Sequence, residues 1–432
     1  MYQSSFRTLA FVTLALLGGL AGSLRAGEDD RDIIYRKNGT KVSGYVATET
    51  TANIEYRAIK VTPKPNLMKL SEFDHVFYYG MESGAWKKGI TEREAGNFET
   101  AAEFFNQLAT TGSREWEKVY GSIAEGECWE MAHKYGDAAK AYALVVTGFA
   151  GNPALAPPIL PNRQWLDTKY HLGMAHAQNK DAVNAGKVAD ELEAQGKKEG
   201  LSAAESRAFA IRSAIAAAEG NVNKFTEFMK KSSIRAFEEK EVWFHFKLYC
   251  AETYRTVFKK SKEAVSIYRE ILNGLGNDPA RQAQIALGLG LTMAETDKQG
   301  ALVELVKLDV MPYGSPDQKC EARYVAGRLL WDEAQAIKNN PESMRDESRA
   351  SFAKEMERSA RFVIAAAADG PAKNPNVELA KALLQSLGPD PDAPKEEKKK
   401  EEAAATEPPK EEKKAEPPKK AAPPKAPAPK PK

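Results

Sequence analysis

From residue 31 to about 80, apolar and polar positions alternate along the chain. Ile33, Ile34 and Tyr35 form a short β-rich run, and Lys37–Thr40 reads as a turn. Its Asn38-Gly39 pair suits the positive φ angles of a type I′ hairpin. Val42, Gly44 and Val46 fall on one face of the next strand. Ile54, Tyr56 and Ala58 then alternate with Asn53, Glu55 and Arg57. This period of two predicts half-buried strands. Pro63 and Pro65 mark a loop, and Leu67–Leu70 and Val76–Tyr79 are the last strand segments. Four or five short strands in so short a stretch predict a small curled sheet or barrel.

At Gly84 the period lengthens to that of a helix. Turn-forming breaks with an apolar-periodic segment on each side recur at Gly96-Asn97, Gly136-Asp137, Asn179-Lys180, Gly220-Asn221, Lys260-Ser261, Gln299-Gly300 and Asn339-Asn340. Their spacing is about 40 residues, which predicts stacked helical hairpins that bury their apolar faces only against one another. In the first hairpin, Gly89 is a small residue on the first helix. Gly96-Asn97-Phe98 forms the turn, Ala101 is small on the second helix, and Phe105 is bulky beyond it. Leu172-Gly173 with Ala185 and Leu192, the helix Ala264–Leu272 before Pro279, and Ala322–Trp331 repeat parts of that arrangement.

These residues resemble the tetratricopeptide repeat, over roughly residues 84 to 387 and most closely in the first hairpin. The family period is 34 residues and this chain runs longer. A HEAT-like or irregular α-solenoid is the alternative for the same segment. The resemblance implies a concave groove lined by first-helix side chains. Counted from Gly89, groove positions fall on Trp86, Ile90, Arg93 and Glu94. From Gly173 they fall on Tyr170, Met174, Ala177 and Gln178, and from Gly327 on Tyr324, Arg328, Trp331 and Asp332. Aromatic-plus-arginine clusters suit interface anchors, so Trp86, Arg93, Tyr170, Gln178, Tyr324, Arg328 and Trp331 are the candidate partner-binding residues. The run from Asp32 to Val46 resembles, more faintly, the opening hairpin of SH3-like and Sm-like barrels. It lacks the basic, aromatic-interleaved face that single-stranded nucleic acid requires, and is expected to be a packing or protein-contact module.

The ends of the chain differ from the body. Residues 1–26 have a basic Arg7, an apolar run from Leu9 to Leu17 and small residues before Ala26. That is the layout of a secretory signal peptide cleaved near Ala26. Export to the periplasm or cell envelope is therefore expected, with no transmembrane span in the mature protein. Residues 389–432 have no aromatic or β-branched aliphatic residue and are dominated by Pro, Lys, Ala and Glu. A segment of that composition cannot offset its chain entropy by burial and is expected to be disordered. Within it, Ala415–Lys432 carries five Lys against one Glu, a charge that suits cell wall or an anionic envelope surface.

Overall charge is nearly balanced, with 62 Lys plus Arg against 60 Asp plus Glu, so no nucleic-acid partner is expected. Cys128, Cys250 and Cys320 are too few for a disulfide framework and read mainly as buried apolar residues. The five histidines show no metal-ligand spacing, since His171 and His176 are not at i, i+4. No Cys-x-x-Cys, Walker A or Gly-x-Ser-x-Gly pattern occurs, and Gly288-Leu289-Gly290 lacks the third glycine of a dinucleotide loop. No catalytic, cofactor or metal residues are assigned on sequence.

The expected fold is mainly α: a tetratricopeptide-like solenoid after a small all-β module and before a disordered tail. The expected function is that of an exported, non-enzymatic scaffold for a protein or peptide partner. The alternatives are envelope attachment through the basic tail and an envelope enzyme whose site sequence does not reveal.

Overall fold

A computed structural model describes residues 30–388, apart from 50–52, 70, 82–83, 149–164, 237–238 and 277. The signal-peptide and tail expectations lie outside the described residues. The chain begins with strands β1 (Asp32–Arg36), β2 (Lys41–Glu49), β3 (Asn53–Arg57), β4 (Asn66–Lys69) and β5 (Phe73–Phe77). They form one antiparallel sheet in the order β4-β3-β2-β1-β5. Its inner face carries Ile34, Ile54, Met68, Phe73 and Val76, all buried. The β1–β2 turn differs from the type I′ expectation. Gly39 alone has positive φ, at 82°, and its N–H donates to the Arg36 carbonyl at 3.0 Å. Three residues, Lys37, Asn38 and Gly39, thus make the loop. Asn38 turns its amide oxygen to the Thr40 N–H at 3.1 Å instead of adopting the left-handed backbone.

Sixteen helices follow among the described residues: α1 (Gly84–Glu94), α2 (Phe98–Thr111), α3 (Glu115–Met131), α4 (Tyr135–Gly148), α5 (Trp165–Gln178), α6 (Ala182–Glu199), α7 (Ser202–Ala218), α8 (Val222–Lys231), α9 (Lys240–Thr256), α10 (Ser261–Leu275), α11 (Pro279–Met293), α12 (Lys298–Val310), α13 (Pro316–Lys338), α14 (Pro341–Arg345), α15 (Glu347–Ala368) and α16 (Pro375–Leu387). They pair as antiparallel hairpins, α1 with α2 through α11 with α12, then α13 with α15. Four hairpin turns close with one hydrogen-bond pattern. The N–H groups of Asn97, Lys134, Asp181 and Asn221 each donate, at 2.8 Å, to the carbonyl five residues earlier. The residue before each donor, Gly96, His133, Lys180 or Gly220, has positive φ. This is a Schellman-type helix end. In two of the turns the donor also caps the next helix, since Asp181 accepts from Asn184 N–H and Asn221 from Lys224 N–H. Two expected breaks move slightly: Gly136-Asp137 lies in the first turn of α4 and Gln299-Gly300 in that of α12.

Glycines set the close approach within the hairpins. A Cβ on Gly89 would sit 2.7 Å from the Phe105 ring, and one on Gly126 would sit 2.5 Å from the Tyr142 ring. In each pair a first-helix glycine receives a second-helix aromatic. Gly327 receives Ile364 in a similar way, and Gly173 on α5 receives Ile211 from α7, the first helix of the next hairpin.

The apolar interior falls into two clusters. One joins the sheet to the first hairpins, with Ile34, Phe73, Tyr78, Trp86, Phe105 and Trp116 among its members. The other runs from Ala138 to Leu329 and is rich in alanine. The sheet therefore packs on the helical body and shares its core. Asp32, fully buried, fastens this junction: it accepts from the N–H groups of Val46 and Tyr79 at 2.8 and 2.9 Å and pairs with Arg114, the residue before α3. All three cysteines are buried and unpaired.

Candidate functional site

Acidic and arginine side chains link successive first helices. Arg93 on α1 reaches Glu127 on α3 at 3.3 Å. Arg207 on α7 pairs with Asp167 on α5 and with Glu239 just before α9. Arg281 on α11 pairs with Glu241 on α9 and lies 4.6 Å over the Phe244 ring. Two of these links span 40 residues, so the repeat expected from the turns also appears in the charges. These arginines are buried or nearly so. Burial raises the Asp167 carboxyl, but Arg207 outweighs it and holds the pKa below the ordinary range, whereas at Glu127 burial outweighs Arg93 and pushes the carboxyl up.

Between these links lies a cluster without an arginine or lysine partner among the described residues. Glu130 on α3, His171 on α5 and His245 on α9 each offer a ligand atom within 4.8 Å of the others. His171 Nδ1 is 3.4 Å from Glu130 Oε2, and His245 Nε2 is 3.9 Å from the same oxygen. The two imidazole centroids are 4.6 Å apart. Two tyrosines support the group. Tyr142 donates to Glu130 Oε2 at 3.0 Å, and the Tyr170 hydroxyl lies 2.9 Å from His245 Nδ1. Glu130 Oε1 and His171 Nδ1 are buried without a hydrogen-bond partner. Such orphaned polar atoms are uncommon in folded proteins and each calls for an explanation.

Charge in the cluster is divided unevenly. Burial pushes the Glu130 carboxyl toward its neutral form, but the facing His171 and His245 outweigh it and hold the pKa below the ordinary range. Burial also works against a charged His171, yet Glu130, Glu127 and Asp167 leave its pKa raised. His245 is pushed down to about 4 by burial and by His171, against the pull of Glu130. The two histidines are thus driven apart, His171 upward and His245 downward. Neutral imidazole is the form that binds metal.

The sequence-based candidates divide into two groups. Trp86 is buried edge-on to Phe105 and Trp116, with ring centroids at 5.2 and 5.9 Å, and packs the core. Tyr170 is fully buried and belongs to the histidine cluster. Arg93 is engaged with Glu127, and Gln178 is half-buried with its amide toward the Met174 carbonyl. On α13, Tyr324 is half-buried, Arg328 and Asp332 are exposed, and Trp331 is half-buried beneath Arg361, 5.5 Å from its ring. This last set keeps exposed surface. The Glu130–His171–His245 cluster was missed on sequence because its members lie on three different hairpins. Tyr170 and His245, for example, are 75 residues apart. The one trace in the sequence is an excess of polar residues on helix faces that the repeat should bury.

A second polar recess lies between β2 and α3, lined by Thr48, Glu49, Tyr78, Glu115, Trp116 and Tyr120. Glu49 is buried there and accepts from the hydroxyls of Tyr78 and Tyr120. Burial, with Glu49 and Glu55 nearby, pushes the Glu115 carboxyl up to about 7.

No protein-family model matches this chain, and no curated protein matches its sequence. Fold and site define a class of architecture: a solenoid-like body of helical hairpins with a five-stranded antiparallel sheet packed on its N-terminal end. No helix among the described residues is long and apolar enough to cross a membrane.

Proposed function

We propose that this chain is an exported, non-enzymatic scaffold of tetratricopeptide-like repeats that holds a protein or peptide partner on its first-helix face. The reading rests on one observation. Tyr324, Arg328 and Trp331 are spaced along one face of α13 and keep accessible surface, whereas Trp86 and Tyr170, at the matching positions of earlier hairpins, are buried in packing. An aromatic pair flanking an exposed arginine is the composition of an interface anchor. Arg361 stacks on Trp331 and holds its ring in place.

In-cell crosslinking with the full chain tests this reading. A discrete protein partner should crosslink near α13 and be lost in Arg328→Glu and Trp331→Ala variants that fold normally. A chain ending at Gly388 should retain it. Recovery of envelope material that needs residues 389–432 and is released by high salt would replace this reading with attachment through the basic tail.

A further inference from the structure

We propose that Glu130, His171 and His245 bind a divalent transition-metal ion of the Zn²⁺ class, tying α3, α5 and α9 together. The distances favour an ion over a set of direct hydrogen bonds. Charge-assisted N–H···O bonds run about 2.7–2.9 Å. The two His–Glu130 approaches, 3.4 and 3.9 Å, are longer. Ligands about 2.0–2.1 Å from a tetrahedral ion stand about 3.3–3.4 Å from one another. The first approach already has that spacing, and the second reaches it with a small rotation of His245.

The donor set is also that of a metal site. Two imidazoles and one carboxylate leave a further position open, as in three-ligand zinc centres. Two of the three ligands are held by a tyrosine hydroxyl. The Tyr170 hydroxyl meets the far nitrogen of His245, and the Tyr142 hydroxyl meets Glu130. The neighbouring carboxylates Glu127 and Asp167 have arginine partners, whereas Glu130 has no arginine or lysine partner among the described residues and faces the two imidazoles. A cation bound among the three would give the buried His171 Nδ1 the partner it lacks. His245, with 29% of its side chain exposed, marks the way in for the ion. This inference does not depend on the scaffold reading.

Full-length protein stripped with chelator and titrated with Co²⁺ tests it. One equivalent should produce the intense visible absorption of tetrahedral Co²⁺, and Zn²⁺ should displace it and raise the melting temperature. Tyr170→Phe should weaken binding by about tenfold or more, and His245→Gln by more than that. His176→Gln, outside the cluster, should leave binding unchanged. His245 is the variant of choice because it is the most exposed of the three ligands. The proposal is overturned if the wild-type protein binds neither ion at micromolar concentration. It is equally overturned if the spectrum is the weak octahedral one, or if a folded His171→Asn/His245→Gln double variant binds Co²⁺ like wild type.

Discussion

Two buried carboxylates, Asp32 and Glu130, are used in opposite ways. Asp32 sits where the sheet meets α3 and receives two backbone N–H groups and a guanidinium, all at hydrogen-bonding distance. Glu130 receives one tyrosine hydroxyl, faces two histidines at 3.4 and 3.9 Å, and keeps an oxygen without a partner. A carboxylate whose acceptor sites are filled by its own chain can only fasten. One with an oxygen left open, and with neighbours near the spacing of two ligands around one ion, can bind. Burial alone does not distinguish a clamp from a site; the completeness of the hydrogen bonding does.

The largest effect separates these two carboxylates directly. Asp32→Ala should cost about 3–5 kcal/mol in urea unfolding, because Arg114 stays charged and two backbone donors lose their acceptor. In chelator, Glu130→Gln should cost only about 1 kcal/mol. No arginine or lysine among the described residues loses its partner when the carboxylate goes, and the amide oxygen still accepts from Tyr142. Equal costs for the two substitutions would end the distinction between clamp and site.

Legibility in the sequence divides along the same line. The strands showed because Ile54 and Tyr56 alternate with polar neighbours, a local period that the sheet preserves. The helical hairpins showed because Gly96 and Gly220 mark two of the turns. At the other two turns the positive-φ residue is not glycine: the Asn179-Lys180 pair marks the one at Lys180, and Gly136-Asp137 marks the one at His133 three residues late. Trp86 and Tyr170 were placed at groove positions by counting along a helix. Counting cannot tell that the next hairpin covers those positions. Glu130, His171 and His245 meet only once three hairpins are stacked, and no spacing along the chain records that.

A smaller effect tests how glycine is used in the two regions. Gly39, in the sheet, has φ 82°, and a Cβ added there would meet nothing within 4 Å, so its role is conformational. Gly39→Ala should cost about 1 kcal/mol through backbone strain, and Gly39→Asn less. Gly126, in the body, is held by contact with Tyr142. Gly126→Ala should cost about 1–3 kcal/mol by displacing that ring. Because Tyr142 also donates to Glu130, the same change should weaken Co²⁺ binding, whereas Gly39→Ala should not. Loss of stability without any loss of Co²⁺ affinity in Gly126→Ala would show that Tyr142 packs the hairpin without orienting Glu130.

The smallest effect concerns pH at the sheet–helix recess. Glu115 binds its proton more tightly in the folded chain, where its pKa is about 7, than in the unfolded chain, where it is near the ordinary 4.5. The folded state therefore holds the extra proton. Stability from this group is fully present below 4.5 and is lost as pH rises through about 7. Glu115 retains some exposure, so the loss should be only about 1 kcal/mol. Glu115→Gln removes the titration. The difference in unfolding free energy between this variant and wild type should therefore grow from about pH 5 to about pH 8, in favour of the variant. A difference that stays constant across that range would mean that Glu115 is ionised throughout and that water reaches the recess freely. The contrast between clamp and site would then sharpen, because Glu115 would be an ordinary solvated carboxylate, while Glu130 keeps a buried oxygen without a partner.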